Sequence, residues 1–210
     1  MSVPGSPKDF WNARYSEDGF AYGERASRLL LGFRDLLQPG QRALVPASGE
    51  GRDAVFLAEC GLNVTAVDMS AAGLARTAEL AAKRGVSVTC IEADLSKWDW
   101  PEAEFDCVAA MFAHVPAPFR PVLHGKFLTT LKPGGHVFLE GFLPEQSDYQ
   151  KSHNSGGPRE PSMLFDPAAI RADFSEAGTV SFLTGVETLT EGVYHNGPAA
   201  LLRAVFRKPE

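Results

Sequence analysis

Short apolar runs alternate with longer amphipathic segments from Arg42 through the middle of this chain. Runs of β-rich composition predict strands at 43–46, 63–67, 86–91, 105–111 and 136–140. Apolar positions at helical spacing predict helices at 50–60, 70–83 and 119–131, and a Lys-Pro-Gly-Gly turn is predicted at 132–135. Strands that alternate with helices of about ten to fifteen residues indicate parallel βαβ units with helices on both faces of the sheet.

The two ends of the chain follow different patterns. Residues 1–40 contain two predicted helices, Lys8–Tyr15 and Glu24–Leu37, which would form a helical cap ahead of the core. Near the other end, a short helix is predicted around 168–177. It is followed by two strand-like runs, 180–189 and 199–206, which predict an antiparallel hairpin closing the sheet.

One long connection interrupts the pattern. Residues 143–166 are rich in Pro, Gly, Ser and His and show no sustained period. A connection of this length inside a compact domain is usually functional or disordered, so we interpret it as a lid-like insert. The chain is therefore expected to form one α/β domain over residues 1–210. Its doubly wound, seven-stranded Rossmann-like sheet would be mostly parallel, with an antiparallel C-terminal hairpin and helices on both faces.

Composition and charge narrow the class of protein. Apolar residues make up 44% of the chain, and 26 acidic against 20 basic residues give a net charge of −6. No apolar run is long enough to span a membrane, and no basic cluster offers a surface for a nucleic-acid backbone. The first residues lack the basic and apolar segments of a secretory signal. We therefore expect a cytoplasmic protein, a monomer or weak homodimer, with neither membrane nor nucleic acid as partner.

The three cysteines give no sign of a metal site or a disulfide framework. Cys60, Cys90 and Cys107 each lie within an apolar run, and we predict that all three are buried. Their spacing, and the absence of nearby histidines in a ligand pattern, does not match zinc. No metal is expected.

The segment from Ala43 carries the sharpest chemical signal: a short strand, a turn containing Gly49 and Gly51, and then a helix. Glycines allow backbone to approach a ligand closely, and the first turn of the helix offers free N–H groups. Asp68 ends the next strand, where a carboxylate can accept from two ribose hydroxyls, and Asp94 ends the third on the same edge. These positions predict a nucleotide-binding site.

The same segment discriminates between nucleotides. Arg52 stands where a dinucleotide fingerprint needs a third small residue, which argues against NAD. The Gly-Lys-Ser/Thr of a P-loop is missing, which argues against ATP. An adenosyl ligand without pyrophosphate needs only the glycine turn, a ribose acid and an adenine contact, and all three are present.

Several motifs resemble one known family, the class I S-adenosylmethionine-dependent methyltransferases, over nearly the whole chain. Within that family the sequence is similar to the small bacterial tellurite-resistance-type and thiopurine-methyltransferase-like enzymes. The matching segments are Trp11-Asn-Ala-Arg14-Tyr15 with Tyr22-Gly23, Gly49-Glu-Gly51-Arg52-Asp53, Val67-Asp68-Met69-Ser70, Leu131-Lys-Pro-Gly-Gly135, Leu139-Glu140-Gly141-Phe142 and Glu191-Gly-Val-Tyr-His195.

The resemblance implies S-adenosylmethionine as cofactor. The turn would wrap its methionine part, Asp68 would bind ribose and Asp94 would meet the adenine amino group. The full set of implied cofactor-binding residues is Trp11, Tyr22, Ala47, Gly49, Gly51, Arg52, Asp68, Met69, Ala93, Asp94, Leu95 and Met111. Two positions depart from the family pattern: Val45 replaces an acid that usually supports the methionine amine, and Ala47 replaces the first glycine of the turn.

Three residues are candidates for the chemistry, each with a structural alternative. Tyr22 could present an aromatic face to the sulfonium, or simply pack the cap on the core. His114, which follows the fourth strand, could act as a base or be bonded to nearby backbone. Glu140 could contact substrate or be a buried acid bonded to backbone. Tyr194 and His195, in the hairpin loop, are not expected to take part directly.

Absent motifs restrict the methyl acceptor. The chain has no Asn/Asp-Pro-Pro-aromatic run after the fourth strand and no Pro-Cys nucleophile, which argues against methylation of amides, exocyclic amines and pyrimidine carbons. A small nucleophile remains, and a thiol or other chalcogen demands the least protein chemistry. The alternatives are an O- or protein-lysine methyltransferase, or an adenosyl-nucleoside-binding module without turnover.

Overall fold

A seven-stranded sheet forms the centre of the structure, a computed structural model that describes residues 5–153 and 155–210. The strands are β1 Arg42–Pro46, β2 Asn63–Asp68, β3 Thr89–Glu92, β4 Phe105–Met111, β5 Leu131–Phe142, β6 Gly178–Thr190 and β7 Asn196–Arg207. The helices are α1 Pro7–Tyr15, α2 Arg28–Gly32, α3 Arg52–Glu59, α4 Ala71–Arg84, α5 Arg120–Thr130, α6 Gln146–Tyr149 and α7 Pro167–Asp173. Short 3₁₀ turns occur at Arg34–Leu36 and Pro161–Met163.

The strand order is β3-β2-β1-β4-β5-β7-β6, which confirms the predicted fold class. The first five strands, β1 to β5, pair in parallel, with β1 in the middle of the five. Strand β7 runs antiparallel between β5 and β6. The order reverses at β1, so the crevice of this sheet lies at the carboxyl ends of β1 and β4. The fold therefore places the glycine turn that follows β1 at the point where ligands bind in sheets of this kind.

Local sequence explains the best-defined elements. The Ser70 hydroxyl accepts from the backbone N–H of Gly73 at 3.1 Å, which starts α4, and Gly85 ends that helix with a φ of +71°. Ser6 and Asp9 form a capping box at the start of α1. These bounds depend on neighbours a few residues away, and the sequence predicts them closely.

Other predicted bounds are wrong where distant contacts decide them. The predicted helix at 24–37 is only α2 and a 3₁₀ turn, because the N–H of Ser27 donates to Asp53 at 2.7 Å and fixes where α2 begins. β3 begins at Thr89, where pairing with Thr65 starts. The predicted turn at 132–135 lies within β5. The helix predicted near 168–177 ends at Asp173, whose carboxylate is held by α5.

The core has two layers, one on each face of the sheet. The layer beneath α5 and α7 is rich in aromatic side chains, among them Phe105, Phe127, Phe165, Phe174 and Phe206. The layer beneath α2 and α3 is mostly aliphatic and includes Leu29, Leu30, Val45, Leu57 and Val64. Of the three cysteines only Cys107 is buried. Cys60 is half-buried and Cys90 exposed, because β3 lies at the edge of the sheet.

The insert at 143–166 is anchored to the sheet through two buried side chains. Gln146 is fully buried: its Oε1 accepts from the N–H of Ala200 at 2.9 Å, and its Nε2 donates to Ser155 and Gly156. Phe165, also fully buried, joins the aromatic core layer. One residue of the insert, 154, lies outside the described residues. That the insert opens and closes as a lid stays a prediction.

We expect Gln146→Ala to lower the free energy of unfolding by about 1–3 kcal/mol. The substitution leaves the buried N–H of Ala200 without an acceptor, and an unsatisfied buried group costs roughly that amount. Urea unfolding measures the change, with Glu145→Ala as the control because Glu145 is the exposed neighbour. Equal stability of the two variants would show that Gln146 does not anchor the insert.

Candidate active site

The turn after β1 has an unusual backbone conformation. Ala47, Gly49 and Gly51 all have left-handed φ angles, of +51°, +54° and +81°. A side chain at Gly51 would overlap Thr77 of α4, whose hydroxyl donates to the carbonyl of Gly49 at 3.1 Å. The two glycines are therefore required by conformation and by space, while Ala47 adopts a conformation that costs an L-residue energy.

Asp68 fastens this turn to β2. One carboxylate oxygen accepts from the N–H of Gly49 and the other from the N–H of Ser70, both at 2.8 Å. Burial, with 6% of the residue exposed, raises the pKa of Asp68, while these bonds act in the opposite direction. Each oxygen keeps a second lone pair, so the residue can still accept from a ribose hydroxyl.

The adenine side of the predicted site is less enclosed. Asp94 is exposed just beyond β3, and its carboxylate accepts from the N–H and hydroxyl of Ser96, which keep the pKa of Asp94 low. Ala93 donates to the carbonyl of Asp68 at 2.9 Å, so the ends of β2 and β3 are joined. Leu95 and Met111 pack in opposite core layers instead of lining an open surface. Met69 is half-buried.

Helix α1 lies across the glycine turn. The Asn12 Oδ1 accepts from the Ser70 hydroxyl at 2.7 Å, and the Tyr15 hydroxyl lies 2.6 Å from where a Cβ on Gly49 would stand. Trp11 stacks on Tyr15 with ring centroids 5.4 Å apart, and Tyr22 lies 6.4 Å from both rings. The cap thus presents an aromatic surface to the turn. Tyr15 belongs to a motif of the resemblance but was not among the predicted site residues.

Two polar atoms of the turn are left without partners. Within the described residues, the Ser48 hydroxyl and Glu50 Oε1 are buried and make no hydrogen bond. Glu50 Oε2 accepts from the N–H of Tyr22 at 3.3 Å, and burial raises the pKa of Glu50. Glu50 was not among the predicted site residues, although it stands between the two glycines in the sequence.

Arg52 does not face the turn, contrary to its predicted role in cofactor binding. Its guanidinium, on a residue 7% exposed, donates to Glu191 Oε2 at 2.8 Å and to the carbonyl of Tyr22 at 3.0 Å. It also lies 3.4 Å from the carboxylate of Asp53. Burial works against the charge of Glu191, but His195 and Arg52 hold its pKa at about 2. The arginine thus joins the start of α3 to the hairpin loop.

His195 was not among the predicted site residues, yet it lies close to several of them. It lies between β6 and β7 and is 4% exposed. Its ring contacts those of Tyr22, Phe112 and Phe142 at centroid distances of 4.6, 4.5 and 5.4 Å. Phe112 follows β4 with a left-handed φ of +56°, a second strained residue at this edge of the sheet. A loop distant in sequence thus reaches the carboxyl ends of the central strands.

His114 is placed as its structural alternative describes, and its proposed role as a base is not supported. Its Nε2 accepts from the N–H of Phe142 at 3.0 Å, so the proton lies on Nδ1, which donates to the carbonyl of Met163 at 2.8 Å. Burial lowers the pKa of His114 to about 4. The ring ties the insert to β5, and neither nitrogen is available for an acceptor's proton.

Glu140 is also buried, at 1% exposure, but its partner is a side chain and not the backbone. Oε1 accepts from Arg203 Nε at 2.6 Å, while Oε2 has no hydrogen-bond partner in the part of the chain that the structure describes. Arg203 also pairs with Glu187, which pairs with Arg28 at 3.1 Å. Glu140 is therefore a buried acid paired with Arg203, and its contact with substrate stays a prediction.

Comparison with known proteins agrees with this geometry. Residues 44–135 match the methyltransferase domain family. Sterol 24-C-methyltransferase ERG6B of Gibberella zeae is 28% identical over 134 residues, covering 60% of this chain and 35% of that protein. The chain thus matches about a third of the length of this curated relative.

Two solved structures share the fold. A chain from work on the conversion of a disulfide bond into a thioacetal group during echinomycin biosynthesis superposes with a TM-score of 0.77 at 16% identity, over 96% of this chain and 92% of that one. TehB from Haemophilus influenzae gives a TM-score of 0.71 at 14% identity, and the superposition covers 96% of this chain and 66% of that one. Over residues 44–135 the chain is thus similar to a methyltransferase domain, and the two solved structures share its fold.

The described residues were also considered for metal-ligand groups and for membrane-spanning helices. Across 5–153 and 155–210, no group of three or more His, Cys, Asp or Glu side chains is placed to hold a metal ion. None of the helices in those ranges has the length and apolar character needed to cross a membrane.

We expect Asp68→Ala to weaken binding of S-adenosylhomocysteine by about 1–3 kcal/mol. The change removes the acceptor of two backbone N–H groups that shape the turn, and hydrogen bonds to charged groups are worth roughly this much. Calorimetry gives the dissociation constant, with Asp99→Ala as an exposed control. If the Asp68 variant is folded and binds normally, the site is misplaced.

Glu140 should make stability depend on pH. Burial raises its pKa from 4.5 to about 7, so the native state binds a proton more strongly than the unfolded state. Its contribution is complete below pH 4.5 and is lost as the pH rises through 7. When the pH rises from 5 to 8, the wild type should therefore lose on the order of 1–3 kcal/mol more of its free energy of unfolding than Glu140→Gln does.

Urea unfolding at both pH values measures this difference. Glu102→Gln is the matched control, because Glu102 is an exposed acid that should leave the pH dependence unchanged. A constant difference between Glu140→Gln and the wild type over this range would mean that Glu140 is already ionised at pH 5.

Proposed function

We propose that this protein transfers a methyl group from S-adenosylmethionine to a small nucleophile, most specifically a thiol or other chalcogen. The observation that carries the proposal is the glycine turn after β1, strained at Ala47, fastened by Asp68 and covered by the aromatic surface of α1. Such a turn with a ribose acid on the neighbouring strand suits an adenosyl ligand.

The residues of the turn also fit the methionine part of that cofactor. An α-ammonium group is a charged donor, and Glu50 Oε1 and the Ser48 hydroxyl are buried acceptors without partners in the described part of the chain. Because an unpaired buried carboxylate oxygen is costly, a cationic ligand would stabilise it. We therefore infer that Glu50 supplies the negative charge that Val45 cannot.

The cofactor brings an electrophilic methyl group bound to a sulfonium. The chain's own contribution is to bind and orient: Asp68 would accept from ribose, Asp94 from the adenine amino group, and Trp11 and Tyr22 would place aromatic faces beside the positive sulfur. The aromatic cap also excludes water, which favours attack by a soft nucleophile.

Two observations support a sulfur or other chalcogen acceptor. The rings of Tyr22, Phe112 and Phe142 pack around His195 beside the carboxyl ends of β4 and β5, and an aromatic environment there suits a small, polarizable group. A neighbour in fold comes from work on disulfide-to-thioacetal conversion, which is sulfur chemistry. The net charge of −6 disfavours nucleic acid as acceptor. We propose a monomer or weak homodimer of the tellurite-resistance and thiopurine-methyltransferase type.

An acceptor screen tests the proposal. Purified protein and methyl-labelled cofactor are incubated with thiols, a selenol, phenols, amines and carboxylates, after calorimetry with S-adenosylhomocysteine. We expect binding and label transfer to thiol or selenol. Gly49→Val is the matched negative control, because its side chain would enter the space of the Tyr15 hydroxyl and block the turn.

Each alternative outcome has a separate meaning. Binding without transfer to any acceptor would favour an adenosyl-nucleoside-binding module. Transfer to phenol or carboxylate oxygen but never to a chalcogen would keep the methyltransferase and overturn the acceptor class. Absence of binding would overturn the proposed function as a whole.

A further inference from the structure

His195 is the place where four separate parts of the chain meet. It lies in the β6–β7 loop and touches Tyr22 of the cap, Phe112 after β4 and Phe142 at the end of β5. From the insert, Gly156 approaches so closely that a Cβ there would lie 2.8 Å from the Nε2 atom. The imidazole is thus buried between the cap, the insert and the carboxyl ends of β4 and β5, the edge of the sheet where ligands bind in folds of this kind.

The ring lies beside a charged pair. Nδ1 lies 3.5 Å from Glu191 Oε2, and among the described residues it has no hydrogen-bond partner. Glu191 is in turn held by Arg52 at 2.8 Å. A carboxylate beside Nδ1 favours the tautomer with its proton on that atom, which leaves Nε2 as the basic nitrogen. The structure thus presents an imidazole, a carboxylate that orients it and a guanidinium that anchors the carboxylate.

We propose that His195, oriented by Glu191, accepts the proton of the methyl acceptor during transfer; this inference rests on the proposed function. The acceptor's S–H proton moves to Nε2 as a sulfur lone pair forms the new bond to the methyl carbon. The bond from that carbon to the sulfonium breaks, and its electron pair stays on the cofactor sulfur. The products are a methyl thioether and S-adenosylhomocysteine, and the imidazolium afterwards gives its proton to water.

The charges around His195 are compatible with that role. The groups facing it are Glu191 on its own loop, Arg52 from α3, Tyr22 from the cap and His114 from the segment after β4. Burial and the charge of Arg52 lower the pKa of His195, while Glu191 acts in the opposite direction. The imidazole is accordingly neutral at pH 7 and can take up a proton. His114, by contrast, has both nitrogens bonded to backbone.

The decisive experiment compares two acceptors that differ in acidity. After the screen identifies the acceptor class, wild type and His195→Gln are assayed at pH 7 with one member that is protonated and one that is already ionised. We expect roughly a 100-fold loss of kcat on the protonated acceptor and less than about a threefold loss on the ionised one, since only the former needs a base. His136→Gln is the matched control, because His136 lies on β5 away from the loop. Its kcat should be unchanged on both acceptors.

Equal losses on both acceptors, with the dissociation constant for S-adenosylhomocysteine unchanged, would overturn the role of His195 as base and leave the proposed function intact. If the wild type does not bind S-adenosylhomocysteine, both the role of His195 and the proposed function are overturned.

A second measurement does not depend on the variant's folding. An NMR titration of the wild-type histidines in the S-adenosylhomocysteine complex should show His195 neutral at pH 7 with its proton on Nδ1. A His195 that is positively charged at pH 7 would overturn the proposal, because an imidazolium cannot accept a proton.

Discussion

The ion pair between Arg52 and Glu191 is the interaction on which the arrangement of the site depends. Arg52 is the first residue of α3, directly after the glycine turn, and Glu191 follows β6 at the far end of the sheet. Both side chains are largely buried, and a buried charge that loses its partner costs several kcal/mol. The pair therefore keeps the turn and the hairpin loop together. It also places His195 against Tyr22 and Phe112.

Backbone strain marks the same region. Ala47 and Phe112 have left-handed φ angles at the carboxyl ends of β1 and β4, which are adjacent in the sheet. Such conformations persist only where the surroundings hold them, and they cluster at functional sites. The supports are visible: Asp68 binds the turn through Gly49, and the carbonyl of Glu140 accepts from the N–H of Phe112 at 2.7 Å. The strained residues and the hydrogen bonds that support them therefore lie together at the ends of β1 and β4, the two strands that flank the crevice.

The fold was predictable because its signals are repetitive and local. Short apolar runs predicted the central strands, helical spacing predicted α4, and the order of strands and helices predicted the topology. The turn at Gly49 and the acid at Asp68 were also selected, because a glycine turn after one strand and an acid after the next is a pattern of sequence. That Asp68 holds the turn through the N–H of Gly49 was not predicted. Bounds failed where a partner far along the chain decided them, as Asp53 does for the start of α2.

By itself, then, the sequence determined the sheet, the glycine turn and the acid at the end of β2, since these depend on propensity, periodicity and the spacing of a few residues. Only the tertiary structure decided how the two histidines near the carboxyl ends of the central strands are held. His114 follows a central strand and was the natural candidate, yet backbone groups 28 and 49 residues away occupy both its nitrogens. His195 stood in an ordinary loop, and its position depends on an arginine–glutamate pair separated by 139 residues. A side chain's protonation and exposure are set by the charges and backbone groups that folding brings around it, and no local pattern records those partners.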